Sequence, residues 1–253
     1  MARSPRTSVW LAGEEKTKAP KRKAAEPGGE GTLDRDRIVA TTVRMLDAEG
    51  LAKFSMRRLA AELGVTAMSV YWYVDNKDDL LELALDRAAG DMRVPDPGDE
   101  GADWREQVRE LATEYRAMLI AHPWVARLVG QYLNVGPNSM AFADAALRVE
   151  RNIGIAKDGA NAVLGVIFQF VYGFATVEAL SKERYQESGV TEDEYLKHVR
   201  ETVADRPEFT ELYKEAAEMM EARSAESVAA MRERDFAFAL DMMIAGIEAM
   251  RDR

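Results

Sequence analysis

The chain has 253 residues and carries 34 Lys and Arg against 44 Asp and Glu, a net charge of −10. With 47% hydrophobic and 31% charged residues it has the composition of a soluble globular protein, long enough for two modest domains. It has no cysteine and only two histidines, His122 and His198, which excludes disulfides, a Cys nucleophile, Cys-based zinc sites and a His-rich metal site.

The first 32 residues are rich in Lys, Ala, Pro and Gly. They include the basic run Lys16, Lys18, Lys21, Arg22 and Lys23, followed by Pro27-Gly28-Gly29. Nothing in this composition can bury a core, so residues 1–32 are predicted to form a flexible basic arm. No uninterrupted apolar run marks a signal peptide, and the expected location is the cytoplasm. Charge is spread unevenly along the chain, at +3 over residues 1–33, −2 over 34–94 and −11 over the remainder. That asymmetry suits a DNA-reading head on an acidic body.

Residues 33–93 are predicted to form the head. Asp34 can cap a first helix whose Ile38, Thr42, Met45 and Leu46 share one face. Glu49-Gly50 stops it, because glycine tolerates the left-handed conformation a helix end often needs. Leu51 and Phe54 anchor the connection. Ser55 is an N-cap for a short second helix with Leu59, Ala60 and Leu63 inward, Gly64-Val65 makes a tight turn, and Thr66 caps a short third helix from Ala67 to Tyr73. Helix, glycine turn and short helix are the ingredients of a helix-turn-helix, and also of ordinary helical packing. The outward residues favour the first reading. The second helix offers Arg57 and Arg58, the third offers Thr66, Ser69, Tyr71, Trp72 and Tyr73, and Asn76 and Lys77 open the next helix. Exposed bulky aromatics are costly without a partner, while hydroxyls, lysine and helix N-termini are groups that clamp phosphates. A solvated charge is the alternative for Arg57 and Arg58, and packing against the first helix is the alternative for Trp72.

Val94-Pro95-Asp96-Pro97-Gly98 is a turn-rich linker and the expected domain boundary. Beyond it, residues 94–253 show helical periodicity over roughly 103–121, 124–133, 137–153, 158–186, 191–204, 208–223 and 226–251, with no sustained strand alternation, so the fold is predicted to be all-α. The run over 160–177 is apolar but falls short of the roughly twenty residues a membrane span needs. It also holds Asn161 and Gln169, and is read as a central, buried helix. Gly165, Gln169 and Gly173 share one stripe, with Gln169 bonded either across a dimer or to a ligand. The last helix, with Phe238, Met242, Ala245, Ile247 and Ala249, can join the central one in a four-helix bundle with a symmetry mate. Tyr115, Met118, Trp124, Tyr132, Phe142, Phe168, Gln169 and Tyr172 are candidates to line a cavity, and each also suits an ordinary core. His122 is assigned a structural role.

The runs Leu33-Asp34-Arg35-Asp36-Arg37-Ile38-Val39, Leu46-Asp47-Ala48-Glu49-Gly50, Ser55-Met56-Arg57-Arg58-Leu59-Ala60, Leu63-Gly64-Val65 and Val70-Tyr71-Trp72-Tyr73-Val74-Asp75-Asn76-Lys77 closely resemble the N-terminal domain of the TetR family, especially its tetracycline-repressor branch. The resemblance implies a recognition helix over Ala67 to Tyr73 in the major groove, with Thr66, Ala67, Met68 and Ser69 nearest the base edges. Ala67 and Met68 suit thymine methyls. It implies a guanine contact for Arg57 and phosphate contacts for Ser55, Tyr71 and Lys77, while Tyr73 stands where a His is common. It further implies a ligand-binding and dimerisation domain after the head, hence a homodimeric repressor that a small molecule releases from a palindromic double-stranded operator. The tetracycline-repressor branch holds a magnesium chelate of its drug through histidines. The corresponding stretches here, Asp91-Met92-Arg93 and Arg127-Leu128-Val129-Gly130, contain none. A larger, mostly apolar organic effector is therefore expected, with no metal or cofactor.

Two rivals stand beside this expectation. An enzyme would need a nucleophile, a base and an orienting group, and the chain has no G-x-S-x-G, phosphate loop or HExxH. Alternatively, the C-terminal domain is a dimerisation or protein-partner module that binds no ligand. The arm, with Lys21, Arg22 and Lys23, either docks on DNA or serves as a solubilising tail.

Overall fold

The computed structural model describes residues 8–11, 33–95, 101–155, 157–206 and 226–251. Among these residues all regular structure is helical: α1 (Arg35–Glu49), a 3-10 turn (Leu51–Lys53), α2 (Met56–Glu62), α3 (Ala67–Tyr71), α4 (Lys77–Ala89), α5 (Trp104–Ala121), α6 (Val125–Leu128), α7 (Pro137–Ile153), α8 (Lys157–Ser188), α9 (Glu192–Ala204) and α10 (Val228–Arg251). The helix expected over 208–223 and the arm residues Lys21, Arg22 and Lys23 lie outside the described residues.

Local chemistry sets the helix ends. The side chains of Asp34, Ser55, Thr66 and Asn76 each accept a hydrogen bond from the backbone N–H three residues on, satisfying donors that a helix start leaves orphaned. Gly50 and Gly64 have φ of 74° and 70°, the left-handed values their turns require. The segment expected over 124–133 is helical for only one turn, α6. Beyond it the chain turns, and the Asn134 side chain donates to the Val129 carbonyl at 2.7 Å.

The chain divides into two compact units, Met1–Asn152 and Ile153–Arg253. The division falls after most of α7 instead of at the proline-rich linker, so α5 to α7 gather with the head. In the first unit α1 packs along α4 and α2 against α3, around Ile38, Leu46, Leu59, Val70, Leu80 and Ala84. α4 is enclosed on nearly every side, which buries two acids, Glu82 and Asp86. Burying a carboxylate without partners is prohibitive, so each recruits donors from far along the chain. Asp86 accepts hydrogen bonds from the backbone N–H of Ser139 at 2.9 Å and from the Asn138 side chain at 3.1 Å, capping the start of α7. A Cβ on Gly136 would run into the Asp86 carboxyl, so only glycine fits there.

Glu82 is met by Ser8 and Val9. The Ser8 hydroxyl donates to one carboxylate oxygen, and the Val9 N–H donates to the other at 3.1 Å. Residues 8–11 form a turn closed by the Leu11 N–H on the Ser8 carbonyl at 3.0 Å. This corrects the expectation that residues 1–32 are a flexible arm throughout. A four-residue piece of it docks on the head, because a buried acid needs its donors.

A second long-range clamp joins α1, the end of α4 and the α5–α6 junction. His122 is buried, with Nδ1 2.7 Å from Asp47 and Nε2 3.0 Å from Asp91, and Trp124 Nε1 donates to the same Asp47 oxygen at 2.7 Å. Burial disfavours the imidazolium, but the hydrogen bonds to both carboxylates and their charges outweigh it and hold His122 above its ordinary value. Because the folded value is raised, this clamp contributes fully below the unfolded value of about 6.5 and is lost as pH climbs through the folded one. A neutral ring has a single N–H, so one carboxylate then faces a lone pair. His122→Gln is expected to lower the unfolding free energy by about 1–3 kcal/mol at about pH 6. Urea melts should show the gap from the wild type narrowing above neutrality, and a gap that is flat or widens with pH refutes a protonated clamp.

In the second unit α8 packs on α10 and α9, with Phe170 and Phe174 closing on Phe236 at ring separations of 5.5 and 5.3 Å. α9 opens with a Thr191–Glu194 capping box. α8 is not buried all round as expected: Gly165, Val166, Gln169, Gly173, Val177 and Leu180 are exposed along one side.

Candidate nucleic-acid interface and effector domain

α3 is five residues long and stands out from the head on the Gly64 turn. Its inward residue Val70 is fully buried, Thr66 fixes its start, and the Tyr73 hydroxyl, just past its end, donates to the Leu33 carbonyl at 2.7 Å. What remains outward is Met68 at 68% exposure, Trp72 at 63% and Tyr71 at 43%, with Ala67 and Ser69 half-buried. Trp72 therefore does not pack against α1. Three exposed large side chains on one short helix form a surface built to meet a partner.

The neighbouring candidates divide. Arg57 is exposed on the first turn of α2, as a groove-reading side chain must be. Arg58 is also exposed but engaged: it donates to the Lys53 carbonyl at 2.9 Å and pairs with Glu49, tying α2 to the end of α1. Tyr73 is likewise engaged with the α1 start and is not a free DNA-facing group. Ser55 uses its hydroxyl as the α2 cap, accepting from Arg58 N. Lys77 donates to the Phe54 carbonyl at 3.1 Å and lies 5.4 Å from the Phe54 ring centre, which leaves two of its three N–H donors for a phosphate.

The eight cavity candidates are also divided. Tyr115 and Phe142 pair at 6.0 Å between α5 and α7, and Met118 is buried on α5. Trp124 donates to Asp47, and the Tyr132 hydroxyl lies 3.4 Å from Asp78. Phe168 and Tyr172 are half-buried on α8, while Gln169 lies on its exposed stripe and has no buried partner to find. The sequence reading missed Ser8, Trp10, Glu82, Asp86 and Asp91. Two acids four apart in the apolar run Leu80-Leu81-Glu82-Leu83-Ala84-Leu85-Asp86 were the available signal, since charges inside an otherwise apolar helix must find partners.

A short, outward-facing helix on a glycine turn, carried by a three-helix core, defines a helix-turn-helix DNA-binding protein. Residues 38–84 match the profile described as "Bacterial regulatory proteins, tetR family", and residues 95–251 match "Tetracyclin repressor-like, C-terminal domain". The chain belongs to the TetR family of transcriptional regulators. It is 34% identical over 175 residues to an HTH-type transcriptional regulator of Saccharopolyspora erythraea, covering 69% of this chain and 72% of that one. It superposes with a TM-score of 0.66 on ActR of Streptomyces coelicolor in complex with actinorhodin, at 28% identity over 88% of this chain and all of that one. BioQ bound to its double-stranded DNA operator matches at 28% identity and a TM-score of 0.52, covering 62% of this chain and 93% of that one. Asn161–Tyr185 of α8 has the length and apolarity of a membrane span, but it lies within the matched C-terminal domain and packs on α10.

The division between Arg57 and Arg58 can be measured without DNA. Arg58→Ala is expected to lower stability by about 1 kcal/mol, because it removes a charge-assisted bond to a carbonyl and a partly exposed ion pair. Arg57→Ala should leave thermal unfolding unchanged, and equal shifts for the two variants overturn the division.

Proposed function

We propose that the chain is a homodimeric repressor released from its operator by a largely apolar, aromatic small molecule. The observation that carries this reading is the apolar face left open on α8 and α10. Val177 and Phe238 are each 66% exposed, and Val166, Leu180, Met242 and Met250 are also uncovered. Monomeric proteins rarely leave such a surface in water. Small residues at Gly165 and Gly173 let a second α8 approach closely, and a twofold axis makes one patch cover its own copy. Two α3 helices then read two half-sites about one helical turn, roughly 10 bp, apart.

On DNA, Thr66, Ala67, Met68 and Ser69 face base edges, Arg57 reads a guanine, and Ser55, Tyr71 and Lys77 hold phosphates. Arg57→Ala is expected to relax preference at one base pair by about 1–3 kcal/mol, whereas Tyr71→Phe weakens all sequences alike. Equal losses on operator and random DNA for Arg57→Ala sink its base-reading role. The effector class follows from the exposed and half-buried aromatics, among them Phe168 and Tyr172, from the lack of histidine at the chelate positions, and from the actinorhodin bound by ActR. Actinorhodin-like aromatic compounds should raise the melting temperature and release operator in a mobility-shift assay. Stabilisation without release points instead to a ligand that plays no part in regulation.

Assembly is tested by Gly173→Glu and Phe238→Glu. A Cβ at Gly173 meets nothing within 4 Å among the described residues, so the position has room in its own chain for a side chain to begin. Sedimentation should show a monomer with intact helicity and operator affinity down by roughly a hundredfold or more, because the two half-sites are no longer linked. A persistent dimer, or a monomer with full affinity, overturns the model.

A further inference from the structure

We infer that His122 is a proton-operated latch between the α5–α6 junction and the DNA-reading head. Doubly protonated, its ring holds Asp47 and Asp91 at once; after losing one proton it lets Asp91 go, and operator affinity falls as pH rises. The geometry sets the charge. Each ring nitrogen faces a carboxylate oxygen, Nδ1 with Asp47 at 2.7 Å and Nε2 with Asp91 at 3.0 Å. An ionised carboxylate only accepts, so both contacts are hydrogen bonds together only for the imidazolium. Asp47 from α1 and Asp91 from the turn after α4 are the charged groups against the ring among the described residues. The start of α6 adds the Trp124 ring, edge-on at 6.0 Å.

The two sides of the latch are unequal. Asp47 makes the shorter contact and also accepts from Trp124 Nε1 at 2.7 Å, whereas the Asp91 side chain is 64% exposed. A neutral ring keeps its one N–H for Asp47, and its Nε2 lone pair then faces a carboxylate that can turn into water. Burial lowers the ring's proton affinity, but the hydrogen bonds and charges of the two acids raise it by more, so the latch opens above the ordinary value of about 6.5.

Opening matters for DNA, on the operator-reading role proposed above, because of where Asp91 sits. α4 begins at Lys77, assigned there to a phosphate, and the turn that ends α4 carries Asp91. The same turn has a second tie to α5, where Glu114 accepts from the Arg93 N–H at 3.0 Å and from its guanidinium at 2.9 Å. An open latch therefore loosens the end of α4 without detaching it. A head whose α4 is loose loses more conformational freedom on binding DNA than one already fixed, so the open state binds more weakly.

The chain has two histidines, and His198 is exposed, so NMR of the ring carbon–proton pairs follows His122 with His198 as the control. His122 is expected to titrate above about 6.5. Asp91→Asn keeps an acceptor but removes the charge at an exposed position, and should bring that midpoint down. Operator affinity is read by fluorescence anisotropy on a duplex that the full chain selects from a randomised pool. From about pH 6 to about pH 8 it should fall at least roughly threefold further in the wild type than in Asp91→Asn or His122→Gln. A His122 that titrates at or below its ordinary value overturns the charged latch. A decline with pH that both variants share with the wild type overturns its link to DNA. The ring titration needs no DNA, so failure of operator reading and failure of the latch are told apart.

Discussion

α4 carries two carboxylates into a helix that is buried on nearly every side, and much of the first unit is arranged to accommodate them. An ionised acid in such a place costs several kcal/mol unless donors surround it. Asp86 finds them at the first turn of α7, where N–H groups left orphaned by the helix start need an acceptor as much as the acid needs donors. Glu82 finds them in Ser8 and Val9, more than seventy residues away. One helix thereby fixes the position of two segments with which it shares no local sequence, and α1 closes over its remaining apolar side.

The His122 clamp extends the same logic to the far end of α4. Asp47 belongs to α1, Asp91 follows α4, and His122 with Trp124 sits where α5 gives way to α6. A shift of α5 or α6 cannot occur without stretching bonds to both helices that frame the recognition surface. The contacts are direct and polar, so they tie the α5–α6 junction to the head rather than leaving it to slide on apolar packing. Asp47 is the shared acceptor of that tie, taking hydrogen bonds from both His122 and Trp124.

What could be read from sequence was whatever is decided within a few residues. Asp34, Ser55 and Thr66 announce helix starts because a side-chain oxygen caps its own helix, and Gly50 and Gly64 announce turns because their backbone needs positive φ. These local signals also placed α3 and its outward residues. Arg57 and Arg58 are adjacent, chemically identical and both exposed, so only the position of Glu49 and the Lys53 carbonyl, both set by the turn between α1 and α2, singles out Arg58 as the engaged one. Trp124 and Tyr132 looked like cavity residues for the same reason: their partners Asp47 and Asp78 lie over fifty residues upstream. The docking of Ser8 was illegible because the apolar run beside it, Val9-Trp10-Leu11, is only three residues long, and the reason for the docking lies in Glu82.

The uncovered side of α8 poses a different problem, since no described residue of its own chain settles it. One side of α8 is closed by the Phe236 cluster on α10. Its open side mixes Val166, Val177 and Leu180 with Asn161, Gln169 and two glycines, a pattern costly in hydrocarbon yet well suited to another helix at close range. α10 leaves Phe238, Met242 and Met250 open in the same way. A face with apolar bulk on one helix and small residues on the other is complementary to itself after a half-turn. The proposed dimer meets a constraint from DNA as well, because a five-residue helix reaches too few bases to specify a site alone and a second copy doubles the reading.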